Sequence, residues 1–397
     1  MKASPTCPPP PFSNHCIPGF TGKLPFQRVP MPDLFTPERP PKRVLIIKLR
    51  HHGDVLLTSP CFTVLKKAYP QAEVDALVYD DTQAMLTSHP HIDQVHTIGR
   101  HWRKQGLLKQ FRLYRGLVKT LKARQYDVLI NLTEHWHGAR LARLLKPRVS
   151  VGFRPDKRSG FARRRWVKSF TTLYPAIQDN TRHMVEVNLD ALRRIGIHPA
   201  TSDDKRTLFV PGDEAEAFIQ EKLAAFGLKS GDYILVHPTS RWMFKSWDIR
   251  ALAATVDALA SRGLPVILSA APSREETEYM DKLRAALTQP VFDLSGQLNL
   301  KQLGALMKHA RIYFGVDSMP MHLASAVGTP TVAIFGPTGA IKWSPWGVSH
   351  RVITAGFTCQ PCGKAGCGDS GVSDCITAIT PQQVLSAIDT LLLETPA

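Results

Sequence analysis

Short, β-branched apolar runs alternate with stretches of helical period along most of the chain, and they do so in two successive series. In the first, residues 44–49 read as a strand, 55–69 as a helix and 74–78 as a second strand. "QVHTI" follows as a strand, residues 106–124 as a long basic amphipathic helix, "YDVLINLT" (126–133) as a strand, "HGARLARLL" as a helix and "VSVGF" as a strand. Continuous apolar runs suit strands buried on both faces, and repeated βα units imply a parallel sheet flanked by helices. The second series starts near Tyr233. Its strands are "YILVHPTS", "PVILSA", "VFDLSG", "RIYFGVD" and "TVAIFG", with a helix over 249–262 after the first. A last helix, "PQQVLSAIDTLLLE", has Thr380 as its cap and Pro381 at the first helical position, where a missing N–H costs nothing. The expected fold class is α/β: two Rossmann-like parallel-sheet domains facing each other across a cleft.

A chain of 397 residues is long enough for two cores. The break between the series, near Phe209–Gly212, gives an N-terminal domain over 43–210 and a C-terminal domain over 211–397. Residues 1–42 carry "CPPPPF" and "ERPPKR" without any hydrophobic period, so a disordered, polyproline-prone leader is expected, with Met31 as a candidate start. No apolar run approaches the roughly eighteen residues a bilayer span needs, and the first residues lack a signal-peptide apolar region. A cytoplasmic location is the expectation.

The net charge is +17, and it is unevenly placed. Between Arg100 and Lys168 stand twenty Lys and Arg against three acids. Such an asymmetry points to an anionic partner. Nucleic acid is disfavoured, because no zinc-finger, homeodomain or RRM signature accompanies the charge. An anionic membrane leaflet or a phosphorylated substrate remains. The densest piece, "KRSGFARRRWVK" (157–168), contains Arg163, Arg164 and Arg165; it reads either as an acceptor contact or as a solvated basic face.

Four loops fall at strand carboxyl ends, where open α/β sheets bind ligands. The first, in "KLRHHGDVLLTSP", holds Gly53 and Asp54; Asp54 reads either as a helix cap or as a functional carboxylate. The second, "HPTSRWMFKSW", sets the Thr239 and Ser240 hydroxyls and the Lys245 amine near a helix start, a combination suited to phosphate oxygens. Its bland alternative is capping by Ser246 beside an exposed Lys245. The third is "GVDSMPMHLASA", with Asp317 ending a strand and Ser318 preceding a helix. The fourth is "FGPTG" (335–339), a turn whose backbone N–H groups could approach an anion closely. The one GxGxxG, Gly366–Gly371, lies inside the Gly-rich cysteine segment and not between a strand and a helix of either series, and the chain contains no Walker A motif.

In order and spacing, "RVLIIKLRHHGDVLLTSP", "VHPTSRWMFKSW", "GVDSMPMHLASAVGTPTVAIFGPTG" and "WSPWG" resemble glycosyltransferase family 9, the ADP-heptose:lipopolysaccharide heptosyltransferases, from about Lys42 to the C-terminus. The His51–His52 pair and "CQPCGKAGC" look like the heptosyltransferase III branch, which adds a side-branch heptose to the inner core. The resemblance implies a GT-B fold, with an acceptor domain followed by a nucleotide-sugar domain, and inverting chemistry that needs no metal cofactor. It implies Asp54 as the catalytic carboxylate. It also implies donor contacts at Thr239, Ser240, Lys245, Asp317, Ser318, His322, Gly336 and Thr338, and a ribose contact at Glu275, with Glu276 the alternative. "SMPMH" replaces a commoner Gly-containing version of the third loop. Gly53, Arg163, Arg164 and Arg165 are the candidate acceptor contacts. The implied partners are an ADP-heptose donor, a lipopolysaccharide inner-core acceptor and the inner face of the cytoplasmic membrane. Two other classes fit the same features: a non-catalytic basic module that binds lipopolysaccharide or membrane, and another nucleotide-sugar enzyme such as an epimerase.

Cys359, Cys362, Cys367 and Cys375 share one Gly-rich segment, residues 359–375, whereas Cys7, Cys16 and Cys61 are scattered. In a reducing compartment such a cluster suits metal better than disulfides, so the segment is a candidate structural zinc site, set against reduced loop cysteines.

Overall fold

The computed structural model describes residues 39–155, 158–175 and 180–395. The leader expected at the N-terminus lies outside the described residues as far as residue 38. Two six-stranded sheets organise the chain. The first contains β1 (Arg43–Ile47), β2 (Glu73–Tyr79), β3 (Gln94–Ile98), β4 (Val128–Asn131), β5 (Val149–Phe153) and β6 (Thr172–Tyr174), in the order β3-β2-β1-β4-β5-β6. The second contains β7 (Ile234–His237), β8 (Val266–Leu268), β9 (Phe292–Asp293), β10 (Ile312–Val316), β11 (Thr331–Ile334) and β12 (His350–Ile353), in the order β12-β11-β10-β7-β8-β9. Every strand pair is parallel. Counted from its own first strand, each sheet runs 3-2-1-4-5-6. That is the doubly wound order, whose direction reverses between the first and fourth strands.

The central strands are apolar throughout because both faces are covered. Val44 to Ile47 are buried, as are Val128 to Ile130, Ile234 to Val236 and Ile312 to Phe314. Each such side chain contributes about 1.5–3 kcal/mol on burial, which offsets a backbone ordering cost of about 1–2 kcal/mol per residue. The final helix, Pro381–Glu394, begins as its sequence dictates. Thr380 Oγ1 accepts from Gln383 N–H, the Gln383 side chain answers to the cap backbone, and the helix packs on Ile249–Ser261 and β12.

The helix expected over 55–69 is two helices, His52–Leu56 and Ser59–Ala68. Pro60 causes the break, since its ring excludes the carbonyl four residues back and its nitrogen has no proton to give. The basic stretch 157–168 contains the helix Gly160–Val167, pinned by a fully buried Trp166 whose Nε1–H donates to Phe153 O at 3.0 Å. Across the seam between the sheets, helix Met319–Ala326 packs on helix His52–Leu56. Lys301 Nζ donates to Thr87 O (2.8 Å) and Val210 O (2.6 Å), and His183 stacks on Trp346 with ring centroids 4.2 Å apart. The reversal points of the two sheets are thereby held facing one another.

Candidate active site

Asp54 follows β1 and is the third residue of helix His52–Leu56. The residue at the cap position is His51, and no side chain caps this helix. Asp54 accepts no hydrogen bond among the described residues; its side chain is 13% exposed, and its nearest cation is Arg50, with Nε 3.9 Å from Oδ1. A carboxylate in the first turn is favoured by the helix dipole without being consumed by it. Asp54 opens onto a pocket of about 130 Å³ lined also by Lys48, Arg50, Glu134, Tyr174 and Trp343. Glu134 follows β4, so the two carboxylates flank the first reversal point.

Lys48 was not foreseen from the sequence. It is buried beside Asp54, and its Nζ donates to Asn188 Oδ1 at 3.2 Å, while Asn188 Nδ2–H donates to Leu57 O at 3.0 Å. Burial pushes the Lys48 ammonium below its ordinary pKa, and Asp54 opposes that shift. The available signal was a lone lysine at the end of an apolar strand run.

Across the seam, the loop after β7 meets the end of β10. Lys245 closes the short turn Met243–Lys245 and is 13% exposed; its Nζ donates to Asp317 Oδ2 at 2.7 Å. Thr338, from the fourth loop, donates its hydroxyl to the same Asp317 oxygen. Ser246 does not cap the next helix: Asp248 does, accepting from Arg250 and Ala251 N–H at 3.0 Å each. The bland alternative for Lys245 therefore fails on both counts. Ser240 Oγ accepts from Trp242 N–H at 3.2 Å, and Ser318 Oγ–H donates to Val316 O at 3.2 Å.

Several expectations are corrected. Glu276, not Glu275, meets this loop. Ser273 caps helix Arg274–Ala286, which turns Glu276 inward, where it accepts from Thr239 Oγ1–H (2.6 Å), Ala271 N–H (3.1 Å) and Ser273 Oγ–H (3.3 Å); Glu275 is left exposed. Gly53 lets the other domain approach, since a Cβ there would stand 3.0 Å from His322 Cδ2. At Gly336 a Cβ would meet Ile376 Cγ1 at 2.4 Å, so this turn admits only glycine. Arg163, Arg164 and Arg165 lie on helix Gly160–Val167 and do not line the Asp54 pocket. His322 is buried within helix Met319–Ala326. Burial holds its ring down to about 4 despite the pull of Asp317 and Asp54, and its Nδ1 has no partner among the described residues.

Among the described residues, no three or more His, Cys, Asp or Glu side chains are arranged to hold a metal, and Cys359, Cys362, Cys367 and Cys375 are free. Cys375 is buried and Cys359 and Cys362 are exposed, and burial together with the neighbouring Cys367, Cys362 and Cys359 raises the Cys375 thiol above its ordinary pKa.

The site thus brings Asp54 from one reversal point against His322, Lys245, Asp317 and Thr338 from the other. Comparison with known proteins decides what such a cleft belongs to. The model of "Glycosyltransferase family 9 (heptosyltransferase)" matches residues 114–372. The chain belongs to glycosyltransferase family 9. It is 36% identical over 300 residues to lipopolysaccharide heptosyltransferase 3 of Escherichia coli strain K12, covering 75% of this chain and 83% of that protein. Among solved structures it resembles a family 9 glycosyltransferase from Veillonella parvula (TM-score 0.75, 22% identity, 89% of this chain and 97% of that one). It also resembles the E. coli ADP-heptose lipopolysaccharide heptosyltransferase II (TM-score 0.68, 20% identity, 89% and 100%). This family 9 chain is an enzyme, a glycosyltransferase, and its two facing doubly wound domains are the GT-B fold.

Proposed function

We propose that the enzyme moves a heptose from ADP-L-glycero-D-manno-heptose onto a heptose of the lipopolysaccharide inner core, with inversion at the anomeric carbon and no metal in the chemical step. It would work in the cytoplasm, at the inner face of the membrane. The 36% identity to lipopolysaccharide heptosyltransferase 3 supports the substrate class. The observation that carries the mechanism is the uncapped Asp54 carboxylate set opposite the Lys245–Asp317 pair.

In this reading the acceptor hydroxyl attacks the anomeric carbon as its proton passes to an Asp54 oxygen. The bond from that carbon to the β-phosphate oxygen breaks, and its electron pair leaves with ADP. Lys245 carries positive charge to the departing phosphate, held at the end of β10 by Asp317. The Ser240 hydroxyl and the amino end of helix Met319–Ala326 add donors there.

The test is to incubate the enzyme with ADP-heptose and a lipopolysaccharide acceptor lacking the branch heptose, reading product mass, ADP release and anomeric configuration. Heptose addition with inversion is expected. Asp54→Asn should keep the melting temperature and ADP affinity while kcat falls by roughly 10²–10⁴-fold. Near-normal turnover in that variant would sink the assignment of the base.

A further inference from the structure

Four of the large apolar side chains exposed among the described residues fall on two helices of the first domain. Leu107 (85% exposed), Leu108 (88%) and Phe111 (65%) open helix Leu107–Ala123, and Phe161 (76%) stands on helix Gly160–Val167. Soluble chains rarely leave such residues together without a partner. On the long helix, Leu108, Phe111, Arg115, Lys119 and Lys122 follow at steps of three and four residues, so they share one side, and all are exposed. The shorter helix repeats the design, with Phe161 followed by Arg164, Arg165 and Lys168 at +3, +4 and +7. No acid occurs on either helix.

Both helices pack against the start of helix Trp136–Leu145. Tyr114 meets His137 with ring centroids 6.0 Å apart, Trp136 meets Trp166 at 5.5 Å, and Arg158 lies over both tryptophan rings at 4.9 and 4.5 Å. The inner side of the long helix, through Tyr114, Leu117, Val118 and Leu121, is already used to pack on the domain. What it turns outward is an apolar first turn trailed by a basic stripe.

We propose that this face of the first domain is an interfacial docking surface for an anionic lipid bilayer. Leu107, Leu108, Phe111 and Phe161 would enter the headgroup boundary, and the lysines and arginines behind them would neutralise acidic lipid. Apolar insertion plus a basic patch supplies the two signals that stable peripheral binding requires. A second copy of the chain would meet like charge with like charge here, whereas an acidic leaflet complements it. The inference deepens the proposed function, resting on its lipid-linked acceptor, and the location it names is specific to these two helices.

The experiment uses the full-length protein and sedimentation with vesicles of phosphatidylcholine alone or with about one-third phosphatidylglycerol. The native protein should pellet with the anionic vesicles and not with the neutral ones, and binding should weaken in high salt. Leu107→Ser/Leu108→Ser/Phe111→Ser should reduce binding at least about fivefold, as should Arg115→Gln/Lys119→Gln/Lys122→Gln. Both sets change exposed residues, so melting temperature and transfer to a soluble, delipidated core oligosaccharide should hold, while transfer to vesicle-embedded acceptor falls. Failure of the native protein to bind anionic vesicles would overturn the proposal. So would unchanged binding by both variants, or a drop in oligomeric mass in the serine variant, which would assign the face to a second copy. Absence of transfer to either acceptor, with vesicle binding intact, would refute the proposed reaction and leave the docking surface standing.

Discussion

Lys245 and Asp317 are buried together, and a buried charge is tolerated only when it is compensated. Removing the lysine therefore has two effects. Lys245→Ala should lower kcat/KM for ADP-heptose by the equivalent of about 1.5–3 kcal/mol, the scale of a charge-assisted contact to phosphate. It should also lower the melting temperature, because Asp317 keeps only the Thr338 hydroxyl as a side-chain partner. Unchanged kcat/KM would take Lys245 out of the donor site. At this scale the Lys245–Asp317–Thr338 contacts were foreshadowed by the sequence only as loops at strand carboxyl ends; which side chains pair there is set by the fold. The choice between Glu275 and Glu276 was not legible, since it depends on which residue caps the helix. Ser273 as the cap puts Glu276 one turn in and facing the loop. Lys48 was missed because a strand-end lysine reads from sequence as the edge of a loop; only its bond to Asn188, 140 residues away, draws it inward.

Among elements, the central strands were readable because burial on both faces leaves a continuous apolar signature. The edge strands β6 and β12 were not: one is three residues long and the other begins with His350 and Arg351, so neither carries that pattern. The division of the first helix at Pro60 was written in the sequence and passed over in favour of the apolar period. Helix His52–Leu56 also makes its own prediction. A helical glycine exchanged for alanine ordinarily gains about 1 kcal/mol, but here the added methyl would press on the His322 ring at 3.0 Å. Gly53→Ala should therefore bring no stabilisation, and Gly53→Val should lower the melting temperature and turnover together. A rise of several degrees in the alanine variant, by differential scanning fluorimetry, would show that the two helices do not bear on each other there.

The whole molecule carries a pH signature. His89, His183, His237 and His322 are each held down to about 4, in every case chiefly by burial. An unfolded histidine titrates near 6.5. Between these values the unfolded chain binds more protons than the folded one, so stability falls as pH drops from about 6.5 towards 4 and is insensitive to these rings above that window. The melting temperature at pH 5 should lie clearly below that at pH 7.5. Equal values would mean that the four rings protonate in place at no cost.

The repeated strand order has a consequence for how such an enzyme can change. Each sheet carries its own complete set of loops at its own reversal point, and the residues assigned to the donor in the proposed reaction come from the second winding. The pocket beside Asp54 is built almost wholly from the first, with Lys342 and Trp343 the two residues that cross over. On the proposed reaction, mutation can therefore reshape what is glycosylated without disturbing what is spent to do it. The toll falls on the narrow strip where the windings touch: drift there would misalign both tasks at once.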